Sequence, residues 1–410
     1  MKKVIGVAVA ASLVAGMAFA DVAVSLNARM RSNMYHQAKD DNNTLTSLFD
    51  LDGSKYADTD GDGDEDDAFT HGGSGIMQDT LKFAASNDFA GVVLEANANA
   101  SSAAGKELKG KTYYGFMKFG ALKFTFGTFE SVFIGRHGQT AAESGLLDSD
   151  DIAKYGITLL KSKSKVAFDA NNISCIAGDK VDALFADYTV DAGEGKLMLK
   201  GGLLSNAYKT TTGSDKTYTR AGYAFEGDYQ SDVVNVQALV KLPKEKVTVF
   251  GVYVEPKVMA ELPLAFGFSY GKDDNTYTNA SAGAKGTGYA IDARVGYIVS
   301  DALRVDSVIK YESAKPDGGK TGSALTVAAE GSYVVNDLAT VFADVGYYNY
   351  NLGDTAGFDK KSVIKFRPGV KLSAGKNAAV TAALQYDSWS GDDKDCKSEM
   401  SIPVIFRVKF

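Results

Sequence analysis

Apolar and polar residues alternate one for one along most of this chain. The last segment shows it most plainly: Met400, Ile402, Val404, Phe406, Val408 and Phe410 are apolar, with Ser401, Arg407 and Lys409 between them. A period of two puts such residues on one face of a β-strand. At ~3.3 Å per residue the segment reaches about 33 Å, a little more than a bilayer's hydrocarbon thickness. Near the start, Val22, Val24, Leu26, Ala28 and Met30 form one face, and Ser25, Asn27, Arg29 and Arg31 the other. The pattern returns at 289–297, 303–312, 341–347 and 364–372. There the polar face carries Asp292 and Arg294, then Arg304, Asp306, Lys310 and Glu312, then Asp344, then Lys365, Arg367 and Lys371. Tyrosines 289, 297, 311, 333 and 347 sit near the ends of runs, where membrane-interface girdles need them.

The connections between runs alternate as well. Short turns (Asn87-Asp88, Ser300-Asp301, Asn336-Asp337, Gly375-Lys376-Asn377) follow one strand, and long polar stretches follow the next. The long stretches are 36–75, 101–110, 130–152, 206–216, 272–286, 313–322, 351–360 and 389–397. This two-sided bias predicts an all-β chain: a transmembrane antiparallel β-barrel with short periplasmic turns and long extracellular loops. It has roughly 16 to 20 strands, an even number if the two ends meet on one side. Residues 153–200 give the weakest strand pattern, with short, Lys-rich runs.

Composition narrows the class. Residues 1–20 read as a secretory leader cleaved after Ala20, with Lys2 and Lys3, an apolar run from Val4 to Ala15, and Ala18-Phe19-Ala20 as an A-x-A site. The barrel then occupies 21–410. Asp21 follows the cut, which argues against a lipid-anchored N-terminus. The net charge is −7, and losing Lys2 and Lys3 lowers it by two. An acidic balance without basic clusters argues against nucleic acid as a partner. Forty-three glycines, 22 Phe and 21 Tyr against one Trp and six Pro favour strands with tight turns. No run beyond the leader approaches the ~20 apolar residues of a membrane helix, which hydropathy alone would read as a soluble exported protein; a barrel hides its membrane signal in alternation. Cys175 and Cys396 are too few for a disulfide scaffold, and pairing or two free thiols both remain open.

Phe410 closing an alternating strand, and the run Phe-Gly-Ala-Leu-Lys-Phe-Thr-Phe-Gly-Thr-Phe-Glu-Ser-Val-Phe-Ile-Gly-Arg over 119–136, resemble bacterial outer-membrane porins of the general diffusion type. The resemblance implies a water-filled channel for passive diffusion of small hydrophilic solutes and ions. It implies membrane lipids and lipopolysaccharide (or an equivalent outer leaflet) as surroundings, and recognition of Phe410 by the barrel-assembly machinery. It also implies a homotrimer, and a loop after residue 130 that folds back into the lumen.

Selectivity in a pore lies in the charges lining its narrowest part. The stretch 130–152 carries Glu143, Asp148, Asp150 and Asp151 beside Glu130 and Arg136. The polar strand faces are largely basic: Arg29, Arg31, Arg294, Arg304, Lys365, Arg367, Lys371, Arg407 and Lys409. Closure brings the first strand beside the last, so Arg29, Arg31, Arg407 and Lys409 are expected close together. An acidic loop facing a basic wall would set a transverse field across the pore. Neutralising Arg367 and Arg29 would then shift selectivity towards cations. A charge on a lipid-facing position costs ~2–4 kcal/mol, so these side chains face water whether or not they form a constriction.

Asp58, Asp60, Asp62, Gly63, Asp64 and Asp66 match positions of a calcium-binding loop, but Phe69 stands where the bidentate Glu belongs. A weak Ca²⁺ site and a solvated acidic loop both fit that segment; no other cofactor is indicated. Catalysis finds little support. His36, His71 and His137 fall in predicted loops, and Gly72-Gly73-Ser74-Gly75 fails the G-x-S-x-G spacing because Ile76 replaces the final Gly. A surface adhesin or structural barrel binding through 36–75 and 272–286 is the alternative to a channel. A sugar-type slide would need lumen aromatics, for which Phe342, Tyr348 and Tyr350 share a face with Asp344.

Overall fold

The computed structural model describes residues 21–39, 44–50, 78–99, 107–130, 180–204, 209–210, 217–218, 222–242, 247–273, 286–316, 321–351, 360–391 and 397–410. Strands dominate. The first part holds β1 (Asp21–Lys39), β2 (Thr44–Asp50), β3 (Gln78–Ser86), β4 (Ala90–Asn99), β5 (Glu107–Phe119) and β6 (Leu122–Glu130). Next come β7 (Lys180–Ala192), β8 (Gly195–Leu204), β9 (Lys209–Thr210), β10 (Thr217–Tyr218), β11 (Gly222–Gln230) and β12 (Val234–Leu242). Then follow β13 (Val247–Pro256), β14 (Leu264–Asp273), β15 (Gly286–Ile298), β16 (Leu303–Pro316) and β17 (Gly322–Asn336). The chain ends with β18 (Ala339–Asn351), β19 (Lys360–Ser373), β20 (Ala378–Ala383), β21 (Gln385–Gly391) and β22 (Ser398–Lys409). No helix among the described residues is long and apolar enough to cross a membrane.

All of these except the small β9–β10 hairpin join one antiparallel sheet of 20 strands. Neighbouring staves follow chain order, with β1 pairing β3 as well as β2 and β8 pairing β11, and β1 pairs with β22 to close the ring. β20 and β21 lie end to end between β19 and β22, split at Leu384. β2 pairs only with the upper half of β1, above β3. Counting β20 and β21 as one stave and β2 as an extension of its hairpin leaves eighteen staves among the described residues, an even number inside the expected range. The closing seam is anchored at its end: the Phe410 N–H donates to the Leu26 carbonyl at 2.8 Å, and the Leu26 N–H to the Phe410 carbonyl at 2.9 Å.

Burial is inverted relative to a water-soluble protein. The large exposed side chains are apolar, among them Val24, Phe126, Phe225, Ile291, Ile309, Val345, Ile364 and Phe406. The buried set is rich in charge and amide: Glu226, Asp228, Gln237, Lys241, Arg294, Lys310, Asp344, Lys365, Arg367, Asp387 and Glu399. Burying polar groups while exposing greasy ones is favourable only when the outside is lipid. Tyr289, Tyr311 and Tyr347 face outward towards one rim; Tyr297, Tyr333, Phe119 and Phe410 do so towards the other. The Tyr289 and Tyr311 rings stand 6.1 Å apart.

The short turns form where the local chemistry directs them. Asn87 Oδ1 accepts from the N–H groups of Phe89 and Ala90, and Asn336 Oδ1 from those of Leu338 and Ala339. Gly120 and Gly193 take φ of +63° and +61°, which a side chain would resist. Two lengths depart from the expected bias: 257–263 lies among the short turns, and 243–246 joins two strands on the long side. Several long stretches are also shorter than the sequence suggested. β1 continues to Lys39, β5 begins at Glu107, β16 runs to Pro316 and β21 to Gly391. Backbone pairing does not require apolar side chains, so the ladder continues past the greasy band into polar sequence. Residues 153–200, weakly patterned in sequence, contain β7 and the start of β8.

Candidate functional site

The inward face of this ring is the candidate site, and strand register assembles its charges into rows. On one side Lys123, Asp187, Lys200 and Glu226 lie directly opposite one another across β6, β7, β8 and β11. The signs alternate, and Lys200 Nζ stands 3.9 Å from Glu226 Oε2. Cross-strand pairs of opposite charge are the favourable arrangement, so this wall is braced along its own rungs.

A second row runs through Asp306, Glu330, Asp344 and Arg367 on β16 to β19, again in direct register. Arginines hold its ends. Asp306 accepts from Arg294 Nη2 at 2.7 Å and from Arg304 Nε at 2.5 Å. Arg367 grips Asp344 with Nε at 2.9 Å and Nη2 at 2.5 Å. Its side chain is 1% exposed, so this fork is sealed from water. Glu330, between the two clamped aspartates, has no hydrogen bond or salt bridge among the described residues and is partly exposed. It is therefore the carboxylate of this row most available to a solute or ion.

A third row places Lys365 opposite Asp387 and Asp387 opposite Glu399. Lys365 Nζ lies 3.5 Å from Asp387 Oδ2. Nearer the short-turn rim the wall becomes basic: Lys371, Arg407 and Lys409 have their charged neighbours there, and Arg29 is the backbone partner of Arg407.

The wall is thus not the largely basic surface that the sequence suggested. Arg294, Arg304, Lys365 and Arg367 each face a carboxylate, and Lys371, Arg407 and Lys409 gather as like-charged neighbours near the short-turn rim. Arg367 braces Asp344 within the wall and does not project alone. Arg29 and Arg31 lie on β1 in register with Arg407 and Ile405, while their side chains fall outside the described residues. Glu143, Asp148, Asp150 and Asp151 also lie outside them, as do Asp58, Asp60, Asp62, Asp64 and Asp66, the two cysteines, and the leader. Of the aromatic slide, Phe342 faces inward and packs with Ala383 and Ile405; the Tyr348 and Tyr350 side chains are not among those described.

Sequence reasoning missed an apolar patch on the inner wall. Phe129, Ala183, Phe185, Leu204 and Ala224 are buried together, with Tyr114 against them. Tyr114 to Phe129 and Phe129 to Phe185 are both 5.7 Å between ring centroids, at angles that favour edge contacts. It also missed the acids Glu330, Asp387 and Glu399. A signal was present: Arg304/Asp306, Gln385/Asp387 and Glu399/Ser401 are polar pairs spaced by two, hence on one face.

Solved structures with this architecture are bacterial outer-membrane barrels. The anion-selective porin of Comamonas acidovorans aligns with 95% of this chain and 100% of its own, at 12% identity and a TM-score of 0.57. OccK3 of Pseudomonas aeruginosa aligns with 95% of this chain and 96% of its own, at 9% identity and 0.52. OprD of the same organism covers 95% of each chain, at 8% identity and 0.51. No protein-family model and no curated protein matches the chain. The fold is therefore an outer-membrane porin-type β-barrel, and at these identities the likeness is one of fold.

Proposed function

We propose that this chain is a porin of the bacterial outer membrane, a non-enzymatic channel through which small hydrophilic solutes and ions diffuse down their gradients. The observation that carries the reading is the inverted burial, with a continuous apolar exterior between two aromatic rims around a wall of charged and amide side chains. An adhesive or structural barrel needs the apolar exterior but has no use for ordered charge rows across ten of its inward strand faces. The chain's own residues then divide the work. The Arg294/Arg304–Asp306 and Arg367–Asp344 clamps hold the wall rigid in a medium where a loose charge is costly. Glu330 and the Lys371–Arg407–Lys409 end supply the field that a passing ion meets.

Short turns at the periplasmic side and long connections outward follow the usual orientation of such barrels. Recognition of Phe410 by the barrel-assembly machinery belongs to this reading, and its exposure at the rim supports it. Lipopolysaccharide contact and a homotrimer belong to the same reading. Planar-bilayer recording of the refolded chain tests it: stepwise conductance is expected, and a folded barrel that never conducts overturns the proposal.

A further inference from the structure

The charge row that crosses β6, β7, β8 and β11 breaks its own rule at one end. Its signs alternate from Lys123 to Glu226, but on the other side Lys123 stands directly opposite Lys118 of β5. Like charges in direct register are destabilising, so a self-sufficient row would carry an acid at 118. Both side chains lie on the inward face. Lys118 alternates with Met117 and Phe119, which are exposed on the lipid side, and Lys123 shares its face with the buried Thr125 and Phe129. Lys118 is exposed and Lys123 half-buried, beside the short turn at 120–121 that joins β5 to β6. The pair therefore opens on the lumen at the short-turn mouth.

The two ammonium groups converge on one ring. Lys118 Nζ lies 5.4 Å and Lys123 Nζ 4.9 Å from the centroid of Phe116, the preceding inward residue of β5. That ring lies over Gly91, its backbone partner on β4, where a Cβ would come within 2.5 Å of the Phe116 Cζ atom. Glycine at 91 thus leaves the room that this ring position needs. The electron-rich face of Phe116 offsets part of the lysine–lysine repulsion but brings no net charge. Neither ammonium has a hydrogen bond or an ion pair among the described residues. Asp187, the carboxylate across from Lys123, is shared with Lys200 on its other side. Two ammonium groups carry six N–H donors between them, and a ring face is no substitute for acceptor oxygens.

We propose that Lys118 and Lys123 bind a small oxyanion, a phosphate or carboxylate group, between their ammonium groups at the short-turn mouth. The anion supplies the negative charge missing from the row, so that the alternation of signs continues to β5. Lysines hold such groups as flexible point charges, without the fixed fork of an arginine. That suits a site which a solute must leave as readily as it enters. The inference deepens the channel reading by naming the solutes that dwell in the path, small hydrophilic anions, and it rests on that reading for this role. Binding itself needs only the folded barrel.

The test uses the full refolded barrel as wild type, Lys118→Gln and Lys118→Glu, the last of which places a carboxylate where the anion is proposed to sit. Inorganic phosphate and acetate are the probes, each titrated against chloride at constant ionic strength. The first readout is the urea unfolding midpoint. Phosphate stabilises folded chains generally, through exclusion from their surfaces, and that part is common to all three forms. The excess in wild type reports the site, and at a free anion concentration 100 times the Kd it shifts the folding equilibrium about 100-fold. The excess is expected to vanish in both variants, each of which should be at least as stable as wild type in chloride because a like-charge contact is gone. The second readout is single-channel chloride current, which phosphate or acetate is expected to reduce in a saturable way in wild type and not in the variants. The probe with the lower half-effect concentration identifies the preferred oxyanion. A wild-type midpoint with no excess for either probe, or an excess that survives in both variants, overturns the proposal even if the barrel conducts. A barrel that shows the excess but never conducts overturns the channel reading and leaves the site standing.

Discussion

Replacing Arg367 by methionine, which keeps most of its volume and removes its charge, probes how the wall is held together. Arg367 is 1% exposed and makes two short hydrogen bonds to Asp344, with Nε at 2.9 Å and Nη2 at 2.5 Å. Without it Asp344 loses its two-pronged guanidinium partner, and breaking a buried pair in this way costs about 3–5 kcal/mol. A second contribution comes from register. Asp344 stands opposite Glu330, and Glu330 opposite Asp306, at a strand spacing of ~4.8 Å. Two like charges that far apart in an effective dielectric of ~20 repel by about 3 kcal/mol, so Arg367 also offsets part of that repulsion. The measurement is equilibrium unfolding in urea of the barrel refolded in lipid, for wild type, R367M, and the double variant Asp344→Asn/Arg367→Met. The single variant should lose at least ~3 kcal/mol, and the double should recover most of it because position 344 no longer carries a buried charge. A loss under about 1 kcal/mol for R367M would show that the pair is solvated like a surface ion pair. A double variant as unstable as the single would show that the guanidinium acts through packing instead.

Two further outcomes follow from the same wall. Ile309→Lys puts a charge on the lipid face near mid-band, at a side chain now 51% exposed, and should cost ~2–4 kcal/mol in the same unfolding assay; an unchanged midpoint would argue that this face does not meet lipid. Glu330→Gln should move the reversal potential in a salt gradient towards anion preference, and the difference should shrink between 0.1 M and 1 M salt as the screening length falls from ~10 to ~3 Å. A reversal potential identical to wild type at low salt would mean that ions do not pass Glu330.

Which face of each strand is greasy was legible from the sequence, because a period of two leaves no freedom once one residue is placed. Tyr289, Ile291, Val295 and Tyr297 are exposed as their alternation requires, and Arg294 between them is buried. β7 escaped because apolar residues sit on both its faces over 183–185: Leu184 and Tyr188 point outward while Ala183 and Phe185 pack inside beside the charged Asp187, so the alternation is blurred. The site was legible only in part. Basic residues stood out against an acidic chain, whereas Glu330 and Asp387 did not. Their importance comes from what lies opposite, and that depends on register. Asp344 meets Arg367 through a hairpin whose connection, 352–359, is long enough to allow several registers, so no spacing rule in the sequence selects the pair. Arg304/Asp306, two residues apart on one strand, needed no register and could have been read directly.

The central claim is that the charge-lined interior is a water-filled path. Single-channel conductance of the refolded barrel in planar bilayers, recorded over a range of salt concentrations, tests it most directly. Discrete steps whose size rises in proportion to bulk conductivity at high salt are the predicted result; a correctly folded barrel that yields no steps at any salt concentration would contradict it.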